Sequence, residues 1–120
     1  MSDYQSVLVE FDGPIGLLTL NKAARHNAFD EDLIAEITLG LLELEEAAQV
    51  HVVVVSAVGE SFCAGGDLHW MQRAAQYSPD ENRRDAEQLS LMLATLNELS
   101  KPTIARVQGP AYGGGVGLIA

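Results

Sequence analysis

Two glycine-rich segments, each arriving shortly after an apolar run, constrain the fold of this chain more than any other feature. The first contains Gly65-Gly66 and follows a valine run at 52–55, and the second, Gly113-Gly114-Gly115, follows an apolar run at 103–107. A buried strand that opens into glycines and then into a helix leaves main-chain N–H groups that no side chain covers. Two such groups in one small domain predict a site that holds an oxyanion, as acyl chemistry requires.

Composition and charge exclude several classes of protein. The 120 residues are 48% hydrophobic, which is enough for one globular domain, and we expect a single domain over residues 1–120. The formal net charge is −10 and the seven Lys and Arg residues form no run, which argues against nucleic-acid binding. No stretch approaches the roughly 18 apolar residues of a membrane span, and the first residues have neither a signal-peptide nor a transit-peptide pattern. A single cysteine, Cys63, allows no internal disulfide, and the cytoplasm is the expected location.

Four apolar segments are predicted to form strands. Residues 6–11 and 15–20 bracket Asp12-Gly13-Pro14, which predicts two strands joined by a tight turn. Residues 50–57 show no alternation, which is typical of a strand covered on both faces between helix layers. A further short strand is expected at 103–107, before the second glycine segment.

Capping residues and helical periodicity predict four helices. Asp30 is the expected N-cap of the first helix, and Ser78-Pro79-Asp80-Glu81 has the capping-box pattern of the third, which Lys101-Pro102 ends. A short second helix is expected at 68–75, and a fourth begins after Gly115. The apolar stripes are Leu33, Ile37, Leu41, Leu44 and Ala48 in the first helix, and Leu89, Met92, Leu93, Leu96 and Leu99 in the third. The order ββαβαα(β)α predicts an α/β layered fold with right-handed crossovers.

The chain ends at Leu118-Ile119-Ala120, just after its last helical pattern begins. A helix nucleus of that length is not stable alone, and no C-cap residue follows it. We therefore expect residues 1–120 to be a truncated piece of a longer sequence.

The segment Gly113-Gly114-Gly115 has three explanations. Glycines permit a tight turn between strand and helix without any further role. Residues 115–120 also fit the dinucleotide-binding pattern G-x-G-x-x-A. The acidic residue that this pattern expects about 20 positions later would fall beyond residue 120. The third explanation, an oxyanion donor, is favoured because a second glycine cluster lies upstream.

Other polar or reactive residues favour ordinary structural roles. Cys63 has apolar neighbours and no base nearby, which favours a core residue over a nucleophile. Asp67 lies where a helix begins, so its carboxylate is expected to cap main-chain N–H groups. The histidines His26, His51 and His69 are too dispersed to predict a metal site.

Lys22, Arg25 and His26 form a cationic loop directly after a predicted strand. A solvated loop is one interpretation of such a group of cations. If the ligand carries phosphate, this loop is the best candidate for holding it in an otherwise acidic protein.

Three blocks of the sequence resemble the enoyl-CoA hydratase/isomerase (crotonase) family. They are Asn21-Lys22 with Arg25-His26-Asn27-Ala28-Phe29, then residues 62–68, then Lys101-Pro102 with Gly109 and residues 111–115. The blocks follow the family's order over almost the whole chain. The resemblance implies the N-terminal half of a crotonase-like ββα-repeat spiral. Residues 67–71, 82–86 and 115–120 are most similar to bacterial methylglutaconyl-CoA and isohexenylglutaconyl-CoA hydratases.

The resemblance implies roles for particular residues. The main-chain N–H groups of Gly66 and Gly114 would form the oxyanion hole for an acyl-CoA thioester. Main chain around Ala64, Asp67 and Leu68 would receive the adenine end of coenzyme A, and Arg25 would bind its phosphates. Coenzyme A is thus expected as part of the substrate, with no other cofactor and no metal. A homotrimer or hexamer is implied for the full-length protein.

The family's proton-transfer glutamates do not fall within these residues. One matches Gly117, and the second would lie beyond Ala120, so the resemblance implies that this chain alone is inactive. The full-length protein is expected to hydrate a 2-enoyl-CoA of the 3-methylglutaconyl type. A 3-enoyl-CoA isomerase and a non-catalytic acyl-CoA binding subunit are the alternatives. Tyr112, Trp70 and Met71 are either acyl contacts or core residues.

Overall fold

The computed structural model describes residues 4–120, and its helices and strands follow the predicted order. The strands are β1 (Val7–Asp12), β2 (Ile15–Leu20), β3 (Val52–Ala57) and β4 (Thr103–Ala105). The α-helices are α1 (Glu31–Glu46), α2 (Leu68–Ala74), α3 (Pro79–Asn97) and α4 (Gly114–Ile119). A 3-10 turn at Ala23–Arg25 lies between β2 and α1 and was not expected from the sequence.

The strands form one mixed sheet in the order β1-β2-β3-β4. The β1–β2 pair is the predicted hairpin, and Gly13 in its turn has a φ of 58°, which glycine adopts without strain. The β2–β3 and β3–β4 pairs are parallel. The carboxyl ends of β2, β3 and β4 therefore meet at one edge of the sheet, and the segments that leave this edge carry both glycine clusters.

Helix α1 covers one face of the sheet. Leu18 and Leu20 of β2 and Val53 and Val55 of β3 alternate into this buried face. The intervening residues of β3 are half-buried, so the expectation that β3 is covered on both faces is wrong for the part of the chain the structure describes. The hydrophobic pattern of β3 does not alternate because valines occupy both faces of the strand, although only one face is fully buried.

The helix boundaries follow their capping residues. Asp30 accepts a hydrogen bond from Leu33 N at 2.8 Å, and Ser78 with Glu81 forms the reciprocal capping box of α3. The stripe of α1 is buried as expected from Leu33 to Leu44, but the helix ends at Glu46, so Ala48 lies beyond it and is exposed. Within residues 4–120, no helix is long and apolar enough to cross a membrane.

Lys101 connects the end of the third helix to the end of the first. Helix α3 ends at Asn97, four residues before Lys101, and buries only Met92 fully. The Lys101 ammonium donates to the carbonyl oxygens of Leu44 and Ala47 at 2.7 and 2.8 Å. A cation at these carbonyls satisfies the last turn of α1 and interacts favourably with the helix dipole.

Replacing Asp30 with Ala should lower the free energy of unfolding by about 1 kcal/mol, because the first turn of α1 loses its side-chain acceptor. Asp32→Ala is the matched control, since Asp32 is an exposed carboxylate in the same turn. Asp32→Ala should lower the free energy of unfolding by only about 0.5 kcal/mol, because it removes a favourable interaction with the helix dipole and no cap. Chemical denaturation measures both values, and an equal loss for the two variants would contradict the capping role.

Candidate functional site

Three loops leave the carboxyl edge of the sheet and lie side by side. We name them loop A (21–30, after β2), loop B (58–67, after β3) and loop C (106–113, after β4). One isolated parallel bridge joins Phe29 of loop A to Gly66 of loop B. A second joins Cys63 of loop B to Ala111 of loop C. Loop B is therefore bonded on both sides, and the two glycine segments meet.

The N–H group of Gly66 faces away from loop A. Phe29 donates its N–H to Gly65 O at 2.5 Å, and Asp67 donates to Phe29 O at 2.6 Å. In such a bridge the central residue, Gly66, directs its own N–H to the opposite side. No oxygen within residues 4–120 accepts a hydrogen bond from Gly66 N, and this residue is exposed. The Gly66 N–H is thus an accessible donor.

The N–H group of Gly114 is the second donor without a protein acceptor. Gly114 is the first residue of α4, where a helix offers no acceptor four residues back. Gly113, the residue before it, has φ 52° and ψ −125°, a conformation that glycine alone adopts easily. Among the described residues, none accepts from Gly114 N.

The two glycine segments are in direct contact. A Cβ atom built on Gly65 would lie 2.9 Å from Tyr112 O, and one on Gly113 would lie 3.9 Å from Gly65 Cα. A Cβ on Gly115 would lie 2.5 Å from Cys63 O. Glycine is therefore required at positions 65 and 115 for the close packing of loop B against loop C and the start of α4. Gly66 and Gly114 each follow this contact by one residue.

Arg25 and Asp67 form an ion pair beside the first donor. Their side chains are 3.8 Å apart, with Asp67 nearly buried and 55% of the Arg25 side chain exposed. Asp67 also accepts from Trp70 N at 3.0 Å, which is the predicted cap of α2. Asp67 is therefore held on two sides, whereas the Arg25 guanidinium has free donors towards solvent.

Ala64 and Leu68 flank the same segment. The Ala64 N–H donates to His26 O at 3.0 Å, and no donor among the described residues reaches the Ala64 carbonyl oxygen. Leu68 is the first residue of α2, and 64% of it is exposed. All the predicted site residues thus lie on loops A and B or at the starts of α2 and α4.

Asn27 is a site-organising residue that sequence reasoning did not single out. It has a φ of 54°, and its buried amide donates to the carbonyl oxygens of Val58 and Ser61 at 2.9 and 3.0 Å. Its Oδ1 accepts from Lys22 N at 2.8 Å. Asn27 therefore fixes loop A to loop B. The signal in the sequence was the residue type, since Asn tolerates the left-handed region better than most residues.

Helix α2 forms a wall next to Gly66. A Cβ on Gly66 would lie 3.0 Å from Met71 Sδ and 3.7 Å from the Trp70 ring. The Trp70 indole donates to Asp85 Oδ2 at 3.1 Å, which links α2 to α3. A cavity of about 280 Å³ lies between the two helices, lined by Trp70, Met71, Ala74, Asn82, Asp85, Ala86 and Leu89. Tyr112, by contrast, is exposed on loop C.

Cys63 is a buried structural residue. It has no exposed surface, and burial raises the pKa of its thiol, partly offset by a hydrogen bond from the Gly65 main chain. A thiol kept protonated is a poor nucleophile. Across residues 4–120 no three His, Cys, Asp or Glu side chains come together as a metal site would require.

Comparison with known proteins is consistent with this geometry. Residues 15–120 match the family model described as "Enoyl-CoA hydratase/isomerase". The chain is 34% identical over 118 residues to the Mycobacterium tuberculosis protein named "Probable enoyl-CoA hydratase EchA14", covering 98% of this chain and 45% of that protein. It is 28% identical over 117 residues to a peroxisomal Δ(3,5)-Δ(2,4)-dienoyl-CoA isomerase of Arabidopsis thaliana, covering 90% of this chain and 42% of that protein.

A crystal structure of the crotonase class from Legionella pneumophila shares the fold. It superposes with a TM-score of 0.91 at 42% identity, covering 94% of this chain and 44% of that chain. The chain belongs to the enoyl-CoA hydratase/isomerase family. Its crotonase-like α/β fold is thereby confirmed, and it spans less than half the length of these relatives.

Gly65→Ala should destabilise the protein by about 1 to 3 kcal/mol, since Gly65 has a φ of +86° and its new Cβ would lie 2.9 Å from Tyr112 O. Gly117→Ala is the matched control in the same region. Its Cβ would lie 3.5 Å from Leu93, an ordinary contact, and the helix gains up to about 1 kcal/mol. Thermal unfolding of both variants tests this, and a Gly65→Ala protein as stable as Gly117→Ala would refute the packing argument.

Proposed function

We propose that the full-length protein adds water to the double bond of a 2-enoyl-CoA thioester. The observation that carries this proposal is the pair of accessible N–H groups, Gly66 and Gly114, each adjacent to the contact between Gly65 and Gly113. Family membership supports acyl-CoA chemistry at this place.

The two N–H groups act as an oxyanion hole in this proposal. Addition of water at Cβ moves charge onto the thioester oxygen, which becomes enolate-like. Donors that await this charge stabilise the transition state more than the ground state. In other enzymes, loss of one such donor raises the barrier by about 3 kcal/mol. Glycine suits both positions because the donors are main-chain groups.

A carboxylate outside residues 1–120 is assigned the proton transfer. Asp67, the acid nearest the first donor along the chain, is held by Arg25 and Trp70 and is poorly placed to exchange protons. Gly117, the position of one family glutamate, carries no acid. The proposed reaction therefore proceeds with one carboxylate.

Coenzyme A is proposed to bind along loops A and B. The Ala64 carbonyl oxygen is a free acceptor for the adenine amino group, beside the main chain of Asp67 and Leu68. The exposed Arg25 guanidinium supplies the charge for the phosphates. In a chain of net charge −10, this local cation is essential to the assignment.

Within the 2-enoyl-CoA class, 3-methylglutaconyl-CoA is the proposed substrate. The support is the resemblance of residues 67–71 and 82–86 to the glutaconyl-CoA hydratases. A homotrimer or hexamer, a cytoplasmic location and the absence of any cofactor apart from the substrate's own coenzyme A belong to the same proposal.

Two alternatives remain. A 3-enoyl-CoA isomerase needs only one carboxylate, and one relative is named as an isomerase. A non-catalytic acyl-CoA binding subunit is motivated by Gly117. Product analysis in deuterated water distinguishes the proposed hydratase from the isomerase, because a hydratase gives a 3-hydroxyacyl product and an isomerase does not. Calorimetry that detects thioester binding without turnover would favour the binding subunit.

The full-length protein should consume 3-methylglutaconyl-CoA or crotonyl-CoA with loss of the enoyl thioester absorbance. Replacing Gly66 by glycolic acid exchanges its N–H for an ester oxygen without adding a side chain. This change should lower kcat by about a hundredfold, because one oxyanion donor is lost. The same exchange at Gly13, in the distant β1–β2 turn, should leave kcat unchanged. Turnover of no enoyl-CoA, or equal kcat for both ester variants, would disprove the proposal.

Arg25→Gln should raise KM for crotonyl-CoA about tenfold with little change in kcat, because a charge-assisted contact to phosphate is lost. Crotonyl-pantetheine lacks those phosphates, so its KM should not change. Arg84→Gln, an equal charge change at an exposed position of α3, is the control. A similar rise in KM for both variants would contradict the assignment of Arg25 to the phosphates. A rise in the KM of Arg25→Gln for crotonyl-pantetheine would contradict it as well.

A further inference from the structure

Phe29 contacts both segments that carry the proposed donors, namely loop B and the first residue of α4. Its main chain pairs with Gly65 O and Asp67 N on either side of Gly66. Its ring lies against Gly114, where an ideal Cβ would be 2.8 Å from Phe29 Cε2 and 3.3 Å from Cδ2. Only 1% of Phe29 is exposed, so neighbouring side chains hold the ring in place.

We infer that Phe29 is a positioning residue that sets the Gly114 N–H relative to the Gly66 N–H. The inference rests on the proposed oxyanion hole and adds the device that aligns its two donors. Two contacts of one rigid residue relate the donors to each other, although they lie 48 positions apart in the sequence. The main-chain bridge fixes Gly66, and the ring supports Gly114.

The position of Phe29 is itself strongly fixed. Asn27, two residues earlier, is hydrogen-bonded to Val58 and Ser61 of loop B. Asp30, the next residue, caps α1. The backbone of Phe29 is therefore held from both ends, and shortening its side chain should loosen Gly114 while leaving the bridge to Gly66 in place.

Phe29→Leu is the first test, because leucine keeps the apolar character but removes the ring edge that touches Gly114. We expect kcat with crotonyl-CoA to fall about tenfold or more with KM changed less than about threefold, as for a misplaced oxyanion donor. The carbonyl ¹³C shift of a bound labelled crotonyl thioester should move towards its value in water. Leu41→Ala, which removes buried volume from α1 in the same core, should leave kcat and the ¹³C shift unchanged. Equal effects of both variants would overturn the inference.

A rescue experiment provides the second test. Gly114→Ala should place its methyl group against the Phe29 ring, and Phe29→Leu should relieve that contact, so the double variant should recover kcat/KM at least about fivefold over Gly114→Ala. Gly115→Ala is the matched control. Its methyl group would meet Cys63 O, so Phe29→Leu should not rescue it. Additive effects for both pairs would refute the role of the ring.

The thermal stability of the same variants separates this inference from the proposed function. The changes in Tm should be non-additive for the Phe29→Leu and Gly114→Ala pair and additive for the Phe29→Leu and Gly115→Ala pair. This should hold whether or not crotonyl-CoA is turned over. Coupled Tm values without turnover by the wild type would reject the hydratase and retain the contact. Turnover by the wild type with uncoupled Tm and kcat values would retain the hydratase and reject Phe29 as its positioning residue.

Discussion

The pairing of loop B with a neighbour on each side is the interaction on which the rest of the site depends. A loop at the edge of a sheet normally satisfies its N–H groups with water or side chains. Here Phe29 bonds to the main-chain groups on either side of Gly66 and leaves the Gly66 N–H directed away from loop A, while Tyr112 donates to Cys63 O on the other side of loop B. The fold thus leaves a fixed main-chain donor that has no protein acceptor within residues 4–120.

The glycines at this edge meet two separate requirements. Gly65 and Gly115 permit a backbone contact that a Cβ would prevent, and Gly113 permits the φ of 52° at the start of α4. Gly66 and Gly114 are close to side chains, Met71 and Phe29 respectively, so a Cβ there would disturb walls of the site. One cluster of small residues therefore serves both packing and access. This explains why the same sequence supported two interpretations of these glycines, as residues of a tight turn and as donors to an oxyanion.

Local signals in the sequence predicted the elements better than the contacts between them. Asp30, Asp67 and Ser78 cap the helices as expected, because capping depends on residues within one turn. The outer face of β3 was predicted wrongly, since a run of valines fits a pleated surface whether or not it is covered. Phe29 under Gly114 was not predictable from spacing, because that contact depends on the register of loop A against loop B.

The acidic character of the chain makes the placement of its cations decisive. A net charge of −10 repels a polyanionic ligand at long range, but salt screens exposed charges beyond roughly 8 to 10 Å. Contacts at the site itself therefore outweigh the overall charge. Arg25 lies beside Asp67, whose carboxylate is already committed to the first turn of α2. The Arg25 guanidinium lies 3.8 Å from that carboxylate, beyond hydrogen-bond distance, and 55% of the Arg25 side chain is exposed, so its N–H donors remain available to an anion from solvent.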